Sequence, residues 1–249
     1  FVMSNIKVGI SGCLGRMGQE LVKQSKKNKK INYIGGFDVK NTHEDIAEIF
    51  NIADVIIDFS SPRAIKKNID LAISNKTALV IGTTGLNEKN IKELKKASKK
   101  IPILVSSNMS LGVNLLFNLV EKTASILKES EYDIEIAEIH HRYKKDAPSG
   151  TAISLGEYAA KGRKTKLKKV KVFDRTKKTV PRKKGEIGFS VTRGGEVPGE
   201  HTVSFIGQND RIDLFHKASN RSIFVNGAIE AAIFVNKKKN GFFNMKNLF

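Results

Sequence analysis

The stretch that most restricts this chain is IKVGISGCLGRMGQELVK, from Ile6 to Lys23. A short β-branched strand runs into glycines at Gly12, Gly15 and Gly18, then into residues whose apolar members recur at helical spacing. A strand that turns tightly into a helix needs a crossover, and the crossover brings the next strand back parallel to the first. The following segments keep that rhythm. INYIGGFD, ADVIIDFS, ALVIGTTG and IPILVSSN are nearly continuous apolar runs, and HEDIAEIF, AIKKNIDLAISN and NEKNIKELKKASKK have helical spacing. Such alternation predicts a parallel sheet covered on both faces, so residues 1–109 read as a doubly wound α/β (Rossmann) domain.

The same turn carries chemistry. Glycine lets the backbone turn sharply and approach a pyrophosphate, while the helix start offers N–H groups and the positive end of a dipole. Asp38 stands 20 residues beyond Gly18 at the end of the next strand, where an acid accepts the two hydroxyls of a ribose. The competing explanation is that small residues merely let helix and strand pack closely; strand, helix and acid together favour dinucleotide binding. The spacing is GxxGxxG rather than the usual GxGxxG. Two further strand ends fit the same site: GTTG, with Gly82, Thr83 and Thr84, and SSNMS, with Ser106, Ser107, Asn108 and Met109. Ligands of parallel sheets bind beyond such carboxyl ends, although capped turns would use the same residue types.

After Asn108 the pattern changes. A long helix, LGVNLLFNLVEKTASILKES, precedes an alternating strand, YDIEIAEIHH, and a helix, TAISLGEYAAKG. The segments VKVFD, EIGFSVTR, HTVSFIG and RIDLFHKA then follow, rich in β-branched and aromatic residues. Strands in succession predict a more antiparallel sheet, open on one face, hence a second, α+β domain over 110–219. The segment FVNGAIEAAIFVNKK is too apolar to stand alone and is expected to pack back on the first domain, which becomes 1–109 plus 220–249.

Charge raises one alternative. With 44 Lys and Arg against 25 Asp and Glu, the formal charge is +19, which suggests phosphate binding. Lys outnumbers Arg 35 to 9 and is spread along the chain, however, and no helix-turn-helix segment is evident, so no nucleic-acid partner is expected. The run from Lys161 to Lys184 reads as a solvated face or loop. One cysteine, Cys13, excludes an intramolecular disulfide and a thiolate zinc site. No apolar run approaches the roughly 20 residues that span a bilayer, and no charged-then-apolar leader is seen, so a cytoplasmic protein without membrane contact is expected.

The densest chemistry lies in EIHHRYKKDAPSGTA, Glu138 to Ala152. Adjacent histidines on a strand point to opposite faces, so His140 and His141 are poorly placed to share a metal, and PSGTA is not a nucleophile elbow. Ser149 fits as the N-cap of the next helix, with the first-turn N–H groups of Gly150 and Thr151 placed to hold an anion. A histidine beside Lys144 then supplies a proton and a fixed positive charge.

At these residues, with GCLGRMG, GTTG, SSNMSLGVN, GEHTVSFIG and HKASNRSIFVNGAIEAA, the chain resembles the dihydrodipicolinate (4-hydroxy-tetrahydrodipicolinate) reductase family along nearly its whole length. The resemblance implies reduction of a cyclic unsaturated dicarboxylate to tetrahydrodipicolinate with NADH or NADPH, in lysine and diaminopimelate biosynthesis. It implies that His140 is the general acid and that Lys144 binds substrate and stabilises or donates the proton. His141, Ser149, Gly150 and Thr151 would hold a substrate carboxylate, with Arg221 a further candidate. Gly12, Cys13, Leu14, Gly15, Arg16 and Met17 would wrap the pyrophosphate, and Asp38 the ribose. Gly82, Thr83, Thr84 and Ser106 to Met109 would face the nicotinamide. It also implies a homotetramer built through the second domain's sheet. Many members carry Arg after the ribose acid, whereas this chain has Val39 and Lys40. An acid without an adjacent cation disfavours a phosphate, so NADH is expected to be preferred or equal. Another two-domain NAD(P)-dependent dehydrogenase, acting on aspartate or a sugar, would share the glycine turn but gives no reason for H-H-R-x-K with P-S-G-T.

Overall fold

The computed structural model describes residues 5–39, 45–176 and 179–249. Two compact units emerge, Phe1–Leu111 with Arg221–Phe249, and Gly112–Asn220.

The first unit alternates strand and helix: β1 (Ile6–Ser11), α1 (Arg16–Ser25), β2 (Ile31–Phe37), α2 (Ile46–Ile52), β3 (Val55–Asp58), α3 (Ile65–Asn75), β4 (Ala78–Ile81), α4 (Glu88–Ala97) and β5 (Pro102–Val105). The sheet runs β2-β1-β3-β4-β5, every pairing parallel. Both faces are buried, which is why the strands read as continuous apolar runs. Val8, Ile10, Val55, Ile57, Val80 and Leu104 meet Leu21 of α1 on one side. On the other, Ile56, Leu79, Ile81 and Ile103 meet Ile49, Phe50, Ile65, Ile69 and Leu94 of α2 to α4. Each fully buried side chain of this size contributes about 1.5–3 kcal/mol.

In the second unit, α5 (Leu111–Ile126) precedes β6 (Asp133–His140), α6 (Gly150–Gly162), a one-turn α7 (Leu167–Val170), β7 (Lys171–Val172), β8 (Ile187–Arg193), β9 (Glu200–Ile206) and β10 (Arg211–Lys217). The sheet order is β10-β9-β6-β8-β7. The sheet is mixed, and so more antiparallel than that of the first unit: β9 pairs antiparallel with both β10 and β6, whereas β6 with β8 and β7 with β8 are parallel. The helix α6 between β6 and β8 carries the chain back to the starting end, a crossover that strand-like composition does not reveal. One face of this sheet, through Ile134, Ile136, Ile187, Phe189, Val203 and Phe205, packs on α5 and α6. The opposite face is open, with Ala137, Ser190, Thr192 and Phe215 exposed.

The chain then returns to the first unit through α8 (Ser222–Asn236), β11 (Gly241–Phe243) and a 3-10 helix (Met245–Leu248). Val225, Ala228, Ile229 and Ala232 of α8 join the core of that unit, so its apolar sequence serves close packing on β3, β4 and β5. At Gly227 a Cβ would stand 1.7 Å from the Met109 carbonyl oxygen, so α8 lies directly against the turn after β5. β11 adds a sixth parallel strand beside β5, an element the sequence did not suggest. Three residues are too few to establish a period.

The basic run is not simply solvated. Arg182 donates to Asp133 at 3.1 Å, Glu135 at 3.1 Å and the Ile134 carbonyl at 2.8 Å, and Arg175 reaches Glu186 at 3.0 Å. Lys177 and Lys178 within it lie outside the described residues. Among those described, no helix is long and apolar enough to cross a membrane.

Candidate active site

In the first unit the three glycines have different causes. Gly12 adopts φ +80°, and a Cβ there would sit 2.6 Å from the Phe59 carbonyl, so this position needs glycine twice over. Gly15 is the N-cap of α1. At Gly18 a Cβ would fall 2.0 Å from the Gly12 carbonyl, so this third glycine does serve helix–strand packing. The N–H groups of Gly12 and Cys13 both donate to the Phe37 carbonyl, at 2.8 and 3.3 Å, which ties the turn to the end of β2.

Two cavities flank this turn. One, of about 780 Å³, is lined by Gly12, Gly15, Asp38, Val39, Ser60 and Lys67, among others. The other, of about 370 Å³, is lined by Arg16, Met17, Gly82, Thr83, Thr84, Ser107 and Met109. Gly15, Phe59 and Ser60 line both, so the turn forms the shared wall of a two-ended trough. Of the remaining candidates, Cys13 is buried against Gly36 and Leu14 is exposed. Ser106 and Asn108 build the turn itself, the Ser106 hydroxyl donating to the Asn108 carbonyl at 2.7 Å. Lys40, one part of the cofactor-preference reading, lies outside the described residues.

Behind the trough sits a carboxylate that no motif had singled out. Asp58, fully buried at the end of β3, accepts from the Ser60 N–H and hydroxyl (2.9 and 2.7 Å) and from the Thr83 hydroxyl (2.6 Å). The Asn68 amide of α3 donates to it at 2.5 Å and to the Ser11 hydroxyl at 3.0 Å. One acid thus fixes three strand ends and a helix around the trough, and each donor helps offset the cost of burying charge.

In the second unit the opening motif becomes a network at the carboxyl end of β6. His140 and Glu138 lie two residues apart on the strand and share its inner face. Register pairs Glu138 with His201 of β9, and His140 with Arg193 of β8. Glu138, 1 % exposed, hydrogen-bonds His140 Nδ1. It also accepts a bidentate pair from Arg193, at 2.8 and 2.9 Å, and the Ser149 N–H at 2.9 Å. Burial raises its pKa, but the hydrogen bonds from His140, Arg193 and Ser149 outweigh that and lower it to about 2. Ser149 caps α6, its hydroxyl accepting from the Ala152 N–H at 3.1 Å and meeting His201 Nε2 at 3.1 Å. Burial, then the neighbouring His140, lower the His201 pKa to about 3, so this ring is neutral.

Lys144 extends from the same loop, and its ammonium donates to both oxygens of Asp146 at 2.8 Å. That hydrogen bond, with a smaller contribution from the Gly150 N–H, holds the Asp146 carboxyl below its usual range. The helix start expected to hold an anion therefore already has one nearby, from the chain itself. His141 Nδ1 is buried without a hydrogen-bond partner among the described residues. Arg221 belongs to the first unit, exposed just before α8. Glu138, Arg193 and His201 are the residues of this network that sequence reasoning assigned no role.

A parallel sheet with a glycine turn and a trough beyond its strand ends defines a class, that of α/β proteins built to hold a dinucleotide. Residues 6–109 match the family model for the dihydrodipicolinate reductase N-terminus, and residues 112–249 match that for the C-terminus. The chain belongs to the dihydrodipicolinate reductase family. The 4-hydroxy-tetrahydrodipicolinate reductase of Zymomonas mobilis is 42 % identical, over 98 % of this chain and 97 % of its own. That of Aquifex aeolicus is 41 % identical, over 97 % of each. The fold is shared with the dipicolinate-bound dihydrodipicolinate reductase of Paenisporosarcina sp. TG-14, at TM-score 0.77 and 24 % identity, covering 99 % of this chain and 100 % of that one.

Proposed function

We propose that this chain reduces 4-hydroxy-tetrahydrodipicolinate to tetrahydrodipicolinate in the route to diaminopimelate and lysine. The observation that carries this reading is the placement of His140 at a strand end, one nitrogen held by a buried carboxylate, within a few residues of a lysine and a helix start. A substrate with two carboxylates requires cations and N–H donors, and a reduction completed by protonation requires an acid. The names of the relatives and the dipicolinate held by the Paenisporosarcina protein support the same substrate class.

A reduced nicotinamide, when bound, supplies the hydride. His140 gives the accompanying proton, and Lys144 offsets negative charge on the substrate. His141, Ser149, Gly150 and Thr151 grip the carboxylates, and Arg221 is a further candidate for that role. The turn from Gly12 to Met17 receives the pyrophosphate and Asp38 the adenosine ribose, while Gly82 to Thr84 and Ser106 to Met109 border the nicotinamide. Asp38 disfavours a ribose phosphate, which makes NADH equal or preferred to NADPH. In this reading residues 1–109 and 220–249 are the nucleotide domain. Residues 110–219 bind substrate and, through the open sheet face bearing Phe215, build a cytoplasmic homotetramer.

Coupling to the preceding synthase, with pyruvate and aspartate semialdehyde as feed, tests the reaction while NADH and NADPH oxidation are followed in parallel. Turnover with NADH and a Michaelis constant for NADPH no lower than that for NADH are expected; a much lower NADPH constant would overturn the preference. His140→Gln and Lys144→Ala should each lower kcat by about 100 to 10,000-fold. Near-full turnover in both would overturn the assigned roles.

A further inference from the structure

We propose that Glu138 is a positioning residue for the proton transfer: clamped by Arg193 and the start of α6, it keeps a proton on His140 Nδ1, so that Nε2 is the nitrogen that loads and delivers the transferred proton. The inference rests on the reading of His140 as the acid.

The geometry carries it. One oxygen of Glu138 accepts from the Ser149 N–H and one Arg193 nitrogen, both at 2.9 Å. The other accepts from the second Arg193 nitrogen at 2.8 Å and meets His140 Nδ1. Arg193 is itself fixed by donation to the Asp146 carbonyl at 2.6 Å. A carboxylate with its lone pairs directed this way cannot swing, and an ionised carboxylate only accepts. Nδ1 therefore carries hydrogen, and the proton to be transferred sits on Nε2. The Nε2 edge passes over residue 199, where a Cβ would come within 2.9 Å of that atom; glycine at φ +152° leaves the space open.

The surrounding charges agree. Arg193 of β8 balances Glu138. His201 of β9 lies edge-on to His140 with ring centroids 5.1 Å apart, His216 of β10 is its register partner, and the charge of Lys144 acts on it more weakly. With its pKa lowered to about 3 by burial, His201 stays neutral and does not compete for the proton. Glu138, lowered to about 2, stays ionised throughout the working range.

Two measurements test this. In the unaltered enzyme with ¹⁵N-labelled histidine, the neutral His140 ring should show the Nδ1–H tautomer; a predominant Nε2–H tautomer overturns the proposal without reference to activity. In Glu138→Gln the acid form of His140 loses its counter-charge. The value of kcat at pH 8 should then fall at least about 10-fold while the substrate KM stays within about 3-fold. An unchanged kcat in a folded variant also overturns it. If the variant fails to fold, the tautomer in the unaltered protein decides. Full turnover in His140→Gln would instead defeat the donor role, leaving the tautomer result standing.

Discussion

Asp146 shows how closely a polar site can satisfy itself. Its carboxylate holds Lys144 through both oxygens and draws on the Gly150 N–H, the groups proposed to grip a substrate carboxylate. An incoming dianion has to compete with it. Asp146→Asn removes that competing charge, so the substrate KM should fall several-fold with kcat changed by less than about 3-fold; steady-state kinetics at low salt reads this, and a raised KM would contradict it. Glu138 gives a second expectation. Its pKa is depressed in the folded state, so its stabilisation is complete above the ordinary carboxylate value of 4.5 and is lost as pH falls towards about 2. Thermal melts between pH 5 and 2.5 should decline less steeply for Glu138→Gln than for the unaltered protein. At this scale the sequence was partly legible. His140, Lys144 and Ser149 stand together in one short stretch, whereas Arg193 lies 55 residues from Glu138 and His201 lies 52 from Ser149, distances no local spacing rule spans.

Elements were most legible where a period repeats. The alternation in the first unit followed from buried apolar strands and amphipathic helices, and the glycine turn located the trough. Less was legible where pairing depends on distant partners, as in β11, which exists only because Gly241, Phe242 and Phe243 find Pro102, Ile103 and Leu104. The parallel pairing of β6 and β8 likewise depends on where α6 leads the chain. The turn offers a direct test of close packing. A methyl at Gly18 would overlap the Gly12 carbonyl and stand 2.8 Å from Cys13 Cα. Gly18→Ala should cost about 1–3 kcal/mol or more, lowering Tm by several degrees and weakening dinucleotide binding in calorimetry. An unchanged melt would mean that α1 shifts at little cost.

For the whole molecule, a formal charge of +19 meets a proposed substrate and cofactor that are both anions. Long-range attraction raises encounter rates and is screened over about 10 Å at 0.1 M salt. The value of kcat/KM should therefore fall several-fold between about 20 and 200 mM salt while kcat changes little; insensitivity to salt would remove any steering role for the excess lysines.

The path of the chain also orders events in time. The first unit is interrupted by the second, and the helix and edge strand that finish its sheet belong to Arg221–Phe249. During synthesis the entire second unit leaves the ribosome while β5 is still an unpaired edge and the apolar face of β3 and β4 lacks α8. The nascent sheet must wait for its last strand, and that interval is when a chaperone or a neighbouring nascent chain would find the most to bind.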